Sequence, residues 1–253
     1  MLSRRAKYRA YSSHYQRLNT YPDWEAAETD PARHACTKPW LPDRRDARIL
    51  DFGCGWGHQL LSLWSARYEN IEGVELTPEQ AAIANECAQG RVPIACQDGC
   101  EYLAGKNGVY DLIILNDVLE HIPAPEVTGL LLQIKAALVA SGRLAIRVPN
   151  MSNLIASFSH SMDCTHVVGY TEFSLAQVLD RAGFENHCFI TDAPLARWKQ
   201  WRPWAPWRHL GLRCRLNRRL HGFVYWASGK PTKPSIFSHN IEVYSHKPSE
   251  KEN

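Results

Sequence analysis

Four segments of the chain place glycine or a carboxylate directly after a predicted β-strand. The first reads Asp51-Phe-Gly-Cys-Gly-Trp-Gly57 and lies between a short apolar strand and a helix. Glu75 ends the second strand, Asp98-Gly99 follow the third, and Asn116-Asp117 follow the fourth. Glycine lets backbone approach a ligand, a helix N-terminus offers free N–H groups, and carboxylates accept hydrogen bonds. Because the carboxyl ends of parallel strands share one edge, these segments predict a single ligand site.

The spacing of the glycines separates two kinds of cofactor. A dinucleotide-binding loop of the form G-x-G-x-x-G would need glycine at position 58, where this chain has His58. The chain instead has glycine at alternate positions, Gly53, Gly55 and Gly57. Glu75 follows at the end of the next strand, where a carboxylate can accept two hydrogen bonds from a ribose. The glycine spacing therefore disfavours NAD as the ligand, whereas Glu75 still indicates a ligand that contains a ribose.

Alternating apolar strands and helical patterns must position these residues. The predicted helices include 127–140, closed by Ser141-Gly142, and 173–182, which ends at Gly183. Strands and helices that alternate along the chain predict an α/β fold, with a mostly parallel sheet and helices on both faces. The predicted strands are 48–51, 71–74, 92–96, 110–115, 143–148, 187–191 and 240–246.

In this order, the motifs resemble those of the class I S-adenosylmethionine-dependent methyltransferases, over about residues 46–190. The resemblance implies a Rossmann-like, doubly wound, seven-stranded sheet with an antiparallel last strand, and S-adenosylmethionine as cofactor. It also implies that Glu75 binds the ribose, that Asp98 contacts the adenine amino group, and that the glycine loop passes the methionine part. The expected cofactor-binding residues are Asp51, Gly53, Gly55, Gly57, Glu75, Leu76, Asp98, Gly99, Asn116 and Asp117.

The acceptor side of such a site needs a group that handles a proton. Methyl transfer from a sulfonium is an in-line displacement, so a hydroxyl acceptor has to be aligned and has to lose its proton. We predict His166 as the base, with Asp163 orienting it or binding a sugar hydroxyl, and His121 as the second candidate. The segment Asp163-Cys-Thr-His166, followed by Tyr170-Thr171, is similar to a pattern in small-molecule and saccharide methyltransferases.

Tyr170 is the residue of this segment expected to bind the acceptor. A divalent metal held by Asp163, His166 and another acid is an alternative arrangement. The sequence shows no repeated ligand spacing, however, so we predict no metal site.

A basic, tryptophan-rich insertion occupies 192–239, between the sixth and seventh strands. From Ala193 to Ile241 there are ten Lys or Arg and no Asp or Glu, so the rest of the chain has 19 basic against 26 acidic residues. The insertion begins on the cofactor edge and is expected to cover the acceptor, with Arg213 and Arg215 binding it. Three partners suit indoles mixed with cations: an anionic membrane surface, an anionic saccharide or lipid-linked glycan, and nucleic acid. The net negative charge of the rest of the chain disfavours nucleic acid as the partner. Alternatively, the insertion is a lid over the site whose tryptophans form its own small core, and it then needs no partner.

Cysteine usage and hydropathy bear on the compartment. The eight cysteines form no C-x-x-C pair, which is typical of a reduced, cytosolic protein. We see no signal peptide or spanning segment, because the longest apolar stretch, 127–140, is interrupted by Gln133 and Lys135. We therefore expect a cytoplasmic protein that associates peripherally with the inner face of a membrane.

These features lead to one functional hypothesis and two alternatives. Residues 1–45 are interpreted as an N-terminal arm and 46–253 as the methyltransferase domain. The hypothesis is O-methylation of a sugar hydroxyl in a bacterial surface polysaccharide or related glycoconjugate. The alternatives are methylation of a small phenolic, lipid-quinone or natural-product acceptor, and a non-catalytic scaffold that binds the cofactor. The acceptor's identity and the oligomeric state are not predicted.

Overall fold

The predicted strands form one sheet in the computed structural model, which describes residues 16–17, 19–190 and 210–248. The strand order is β3-β2-β1-β4-β5-β7-β6, and β7 is antiparallel to both of its neighbours. The pairs β1–β2, β1–β4, β2–β3 and β4–β5 are parallel. This order confirms the predicted Rossmann-like, doubly wound sheet with an antiparallel last strand. The strands are β1 Arg48–Phe52, β2 Asn70–Glu75, β3 Ile94–Cys96, β4 Tyr110–Asn116, β5 Leu138–Pro149, β6 Glu185–Ile190 and β7 Asn240–His246.

Helices cover both faces of the sheet. In the part of the chain that the structure describes they are α1 Trp24–Thr29, α2 Pro31–His34, α3 His58–Ser65, α4 Pro78–Ala88, α5 Gly99–Leu103, α6 Ala124–Ala137, α7 Ala156–Ser161, α8 Glu172–Arg181 and α9 Leu210–Ala227. A short 3₁₀ turn, Leu119–His121, follows β4. Alternate strand residues face opposite layers: Leu50 and Ile113 join the core with α5, α6 and α8, whereas Ile49 and Ile114 join the core with α1, α3 and α4.

The described part of the predicted N-terminal arm packs onto the second of these layers. Trp24 and Trp40 are buried, and Asp23 caps α1 by accepting a hydrogen bond of 2.8 Å from the backbone N–H of Ala26. The ring of Tyr21 stacks on Trp56 with centroids 4.6 Å apart. These contacts place residues 19–45 next to the glycine loop.

The junction between α6 and β5 differs from the prediction. The helix was expected to continue to residue 140, but it ends at Ala137, and β5 begins at Leu138. Leu138 already pairs with Tyr110 of β4, so sheet pairing overrides the apolar helical pattern here. Ser141 takes a positive φ of 62° inside the strand.

Only part of the predicted insertion lies within the described residues. Residues 191–209, with Trp198, Trp201, Trp204 and Trp207, lie outside them, as does the side chain of Arg213. The remainder forms α9 and the segment that leads into β7. No helix among the described residues is long and apolar enough to cross a membrane.

Candidate active site

The turn after β1 depends on its glycines. Gly53, Gly55 and Gly57 take positive φ angles of 76°, 54° and 87°, which side-chain-bearing residues rarely adopt. A Cβ on Gly53 would also lie 2.7 Å from a methyl carbon of Val118. Gly57 is the N-cap of α3, so the loop ends at a helix N-terminus. The backbone of the loop is thus accessible to a ligand at the carboxyl end of β1.

Glu75 ties this loop to the end of β2. Its carboxylate is buried, and it accepts hydrogen bonds from the backbone N–H of Gly55 at 2.9 Å and of Thr77 at 2.8 Å. Burial raises the pKa of Glu75, and these backbone bonds oppose that rise. Each oxygen has two lone pairs, so each can still accept a bond from a ribose hydroxyl.

Asp98 and Gly99 follow β3 at the same edge of the sheet. Oδ1 of Asp98 caps α5 by accepting from the backbone N–H of Cys100 at 2.8 Å and of Glu101 at 3.4 Å. A Cβ on Gly99 would lie 2.1 Å from the ring of Phe52, so only glycine fits there. Asp98 therefore has a capping role in addition to the contact with adenine that the resemblance implies.

Asp51 is a carboxylate buried in the wall of the site. Its side chain is 1% exposed, and its Oδ2 atom has no hydrogen-bond partner among the described residues. Burial raises the pKa of Asp51 to about 7, although the charge of Arg147 opposes this. A buried carboxylate oxygen without a donor is costly unless a ligand supplies a positive group. S-adenosylmethionine carries an ammonium and a sulfonium, so the site fits a cofactor of this charge.

These residues line one cavity of about 310 Å³. Every predicted cofactor-binding residue except Gly57 lies in its wall, and His121 lies there too. Arg147, which was not predicted as a site residue, also lines the cavity and donates from Nε to Oδ1 of Asp117 at 3.1 Å. A charged residue in the otherwise apolar strand Leu144–Val148 was the signal that could have revealed it.

His121 is the predicted catalytic residue that reaches the cavity. Its Nδ1 atom lies 2.9 Å from the hydroxyl oxygen of Thr165, and that hydroxyl donates to Oδ1 of Asp163 at 2.6 Å. The hydroxyl oxygen therefore accepts from Nδ1–H, which leaves the lone pair of the imidazole on Nε2. Burial, followed by the neighbouring His166, lowers the pKa of His121 to about 4. The ring is neutral at physiological pH.

His166 and Tyr170 are not among the cavity-lining residues. The ring of His166 packs against that of His121, with centroids 4.8 Å apart, and its Nδ1 atom lies 3.1 Å from the carbonyl oxygen of His160. Tyr170 is 3% exposed and belongs to the core with α6 and α8. Arg215 is exposed on α9. The structure thus brings His121, Asp163 and His166 together and leaves Tyr170 and Arg215 outside this group.

Comparison with known proteins agrees with the predicted fold and family. The family described as a methyltransferase domain matches residues 25–188, more than half of the chain, and the chain belongs to this family. Members of this family that have the present fold are class I S-adenosylmethionine-dependent methyltransferases. The predicted family and the predicted cofactor are therefore confirmed. The structure of an S-adenosylmethionine-dependent methyltransferase from Archaeoglobus fulgidus has a TM-score of 0.64 at 15% identity, covering 94% of this chain and 100% of that one.

Two curated relatives differ in the acceptors that their names state. The ubiquinone biosynthesis O-methyltransferase of Xanthomonas oryzae pv. oryzae is 30% identical over 160 residues, 62% of this chain and 62% of that protein. The trans-aconitate 2-methyltransferase of Deinococcus radiodurans is 26% identical over 160 residues, 62% of this chain and 59% of that protein. The chain thus matches less than two thirds of the length of either relative. The family defines the methyl donor, and the acceptor remains to be inferred.

Proposed function

We propose that this methyltransferase transfers the methyl group to a hydroxyl oxygen of its acceptor. The observation that carries the proposal is that one cavity is lined by Glu75, by Asp98 and by a neutral His121, which lies in the 3₁₀ turn after β4. A methyl donor bound at Glu75 and Asp98 would therefore share this cavity with a group able to act on a hydroxyl. The name of the Xanthomonas relative, an O-methyltransferase, supports the same chemistry.

The cofactor half of the cavity mainly binds and orients. When bound, S-adenosylmethionine supplies a methyl group on a positively charged sulfur, which an acceptor oxygen can attack in line. Glu75 accepts from the ribose, Asp98 lies at the adenine end, and Asp51 presents its unpaired oxygen to positive charge. Holding both reactants in place is the largest contribution that the protein can make to such a displacement.

His121 is the residue that activates the acceptor hydroxyl in this proposal. Its Nδ1 atom is hydrogen-bonded to the hydroxyl of Thr165, and that hydroxyl donates to Asp163. Asp163 therefore positions His121 and does not reach the cavity itself. His166, which the sequence analysis ranked first as the base, packs behind His121 and supports its ring.

Two acceptor classes carry this chemistry. The segment Asp163–His166 supports a saccharide hydroxyl, through its similarity to saccharide methyltransferases. A phenolic hydroxyl of a quinone precursor is the second candidate, and the name of the Xanthomonas relative favours it. Both acceptors can be attached to a lipid.

Helix α9 supports a position at an anionic membrane surface. It has no acidic residue, and Arg215, Arg218 and Arg219 are exposed on it. The helix also exposes large apolar side chains: Leu216 (56%), Leu220 (54%), Phe223 (62%) and Trp226 (77%). Cations and exposed apolar groups on one helix suit the interface between headgroups and acyl chains.

The proposal is tested by turnover with a panel of acceptors. We expect transfer of a labelled methyl group to a lipid-linked saccharide or to a catechol-type quinone precursor, with the product stable to mild base, as an ether is. A product that base hydrolyses would be an ester, and the hydroxyl assignment would then be wrong. Intact binding of the cofactor with no turnover on any acceptor class would favour the non-catalytic scaffold.

A further inference from the structure

Glu120, next to His121, has a buried carboxylate that nothing in the described residues satisfies. The side chain is 1% exposed, and neither Oε1 nor Oε2 has a hydrogen-bond partner among those residues. Its backbone carbonyl, in contrast, accepts from the N–H groups of Val167 at 2.9 Å and Val168 at 3.1 Å. The main chain thus fixes the residue in place, while its carboxyl group receives no hydrogen bond from the described residues. Buried polar groups in native proteins nearly always have a partner, so this one calls for an explanation.

The neighbours of this carboxylate are two histidines whose tautomers are set by other bonds. Nδ1 of His121 donates to the Thr165 hydroxyl, as described above. Nδ1 of His166 faces the carbonyl oxygen of His160, which can only accept, so Nδ1 carries the proton. In the neutral ring Nε2 then has the lone pair, and this atom lies 3.9 Å from Oε1 of Glu120. Both Nε2 atoms and both carboxyl oxygens can present a lone pair to a metal ion.

We infer that Glu120, His121 and His166 form a binding site for one divalent metal ion, with Zn²⁺ as the preferred occupant. One ligand atom from each residue lies within 4.8 Å of the other two. Bonds of about 2.0–2.2 Å to zinc put neighbouring ligand atoms about 3.4 Å apart, so the side chains need to close by only ~1.5 Å or less. Two imidazoles and one carboxylate suit zinc or a similar transition metal better than Mg²⁺ or Ca²⁺, which prefer oxygen.

The surroundings of the two histidines match those of metal ligands. A ligating histidine usually donates its second ring N–H to a carbonyl or to a carboxylate-linked group, which fixes the ring. His166 has the carbonyl of His160, and His121 has Thr165 with Asp163 behind it. Both ligands are therefore oriented before any ion binds.

This inference rests on the proposed function in one respect, because His121 is where we place the acceptor hydroxyl. Three protein ligands leave a fourth position of a tetrahedral zinc ion open. Of the three proposed ligands, His121 lines the cavity, so an ion held here would lie beside the space that an acceptor enters. A cation there would make an acceptor hydroxyl bound to it more acidic, so that the hydroxyl proton could pass to water as the oxygen takes the methyl group. His121 would then act as a metal ligand instead of as the base.

Metal binding can be measured without any acceptor. Full-length protein is stripped with a chelator and titrated with Zn²⁺ in a calorimeter, and then with Co²⁺ followed by its absorption spectrum. We expect one high-affinity site per chain, with a Co²⁺ spectrum that lacks a thiolate charge-transfer band. Glu120→Gln and His166→Asn should each weaken binding by about 100-fold or more, because they remove a direct ligand.

Two control variants separate this site from other metal-binding groups on the surface. His239→Asn removes an exposed histidine, and Cys164→Ser removes the exposed thiol beside Asp163. Both should bind Zn²⁺ as the parent does. Equal binding by the parent and Glu120→Gln, or loss of binding in Cys164→Ser, would overturn the inference.

A stability measurement covers the case in which a variant folds poorly. In the metal-free protein, the amide of Glu120→Gln can donate to Nε2 of His166, so the variant should unfold at a higher temperature than the parent. Addition of Zn²⁺ should raise the unfolding temperature of the parent and leave that of the variant unchanged. A variant that is destabilised and still responds to Zn²⁺ would contradict the proposed ligand set.

The two proposals fail in different ways. Full turnover by chelator-treated enzyme would leave His121 as a base acting alone, and only the metal inference would fall. A zinc site that binds as predicted in a protein without activity on any hydroxyl acceptor would remove the proposed function and keep the site.

Discussion

Oγ1 of Thr165 lies 2.9 Å from Nδ1 of His121, across 44 positions of sequence. The same hydroxyl donates to Asp163, so Thr165 links the 3₁₀ turn after β4 to the segment after α7. This connection gives the ring of His121 one orientation. The first prediction follows from it.

Replacement of Thr165 by valine should lower kcat for the acceptor by about 10- to 100-fold, since it removes a bond that orients His121. Thr165→Ser retains the hydroxyl and is the matched control, with nearly normal turnover. Cofactor affinity should be the same in both variants. Equal kcat values for the valine and serine variants would show that the link through Thr165 has no role in the reaction.

Glu75→Ala should weaken cofactor binding by about 1.5–3 kcal/mol, the usual loss when a hydrogen bond to a charged group is removed. It should also lower the unfolding temperature, because the N–H groups of Gly55 and Thr77 lose their acceptor. Glu75→Gln keeps one acceptor oxygen and should fall between the parent and the alanine variant. Calorimetry with S-adenosylhomocysteine measures the affinity, and an unchanged value in a folded alanine variant would remove Glu75 from the site.

Asp51→Asn should stabilise the cofactor-free protein at and above neutral pH. Burial raises the pKa of Asp51 from 3.8 to about 7, so the unfolded state ionises first and stability falls as pH rises through this window. The asparagine variant has no such loss, so its advantage in unfolding temperature should grow from pH 4 to 7 and then level off, at roughly these limits. It should nevertheless bind S-adenosylmethionine more weakly than the parent. Thermal unfolding across this pH range checks the sign, and parallel curves for the two proteins would contradict it.

The exposed cations of α9 should matter for membranes and acceptors and not for the cofactor. Replacing Arg215, Arg218 and Arg219 by glutamine should reduce sedimentation with anionic vesicles and raise the acceptor KM. Added salt should weaken vesicle binding by the parent, because exposed charges are screened. The control removes three exposed arginines outside α9, Arg45, Arg67 and Arg181, and should bind vesicles as the parent does. If both triple variants lose the same amount of binding, net charge and not α9 is responsible.

The sequence by itself predicted a mostly parallel sheet and most of the polar residues that line the cavity. The alternation of strands and helices and the residues at strand ends are local properties, and the carboxyl ends of parallel strands necessarily share an edge. Asp51, Glu75, Asp98 and Asn116 could therefore be placed together without coordinates. The end of α6 was misjudged because pairing of Leu138 with Tyr110 outweighs the helical pattern.

Only the tertiary structure decided which polar residues meet at the acceptor side. Which of the two histidines, His121 or His166, lines the cavity depends on how the segment after α7 packs against the 3₁₀ turn. The unpaired carboxylate of Glu120 was hidden for the same reason, since burial and the absence of a donor are properties of surroundings built from distant parts of the chain. Ligand atoms that lie within 4.8 Å of one another come from positions 120, 121 and 166, and no spacing rule connects them. Hydrogen bonds and desolvation act over a few ångströms in space, whereas a motif records only distance along the chain.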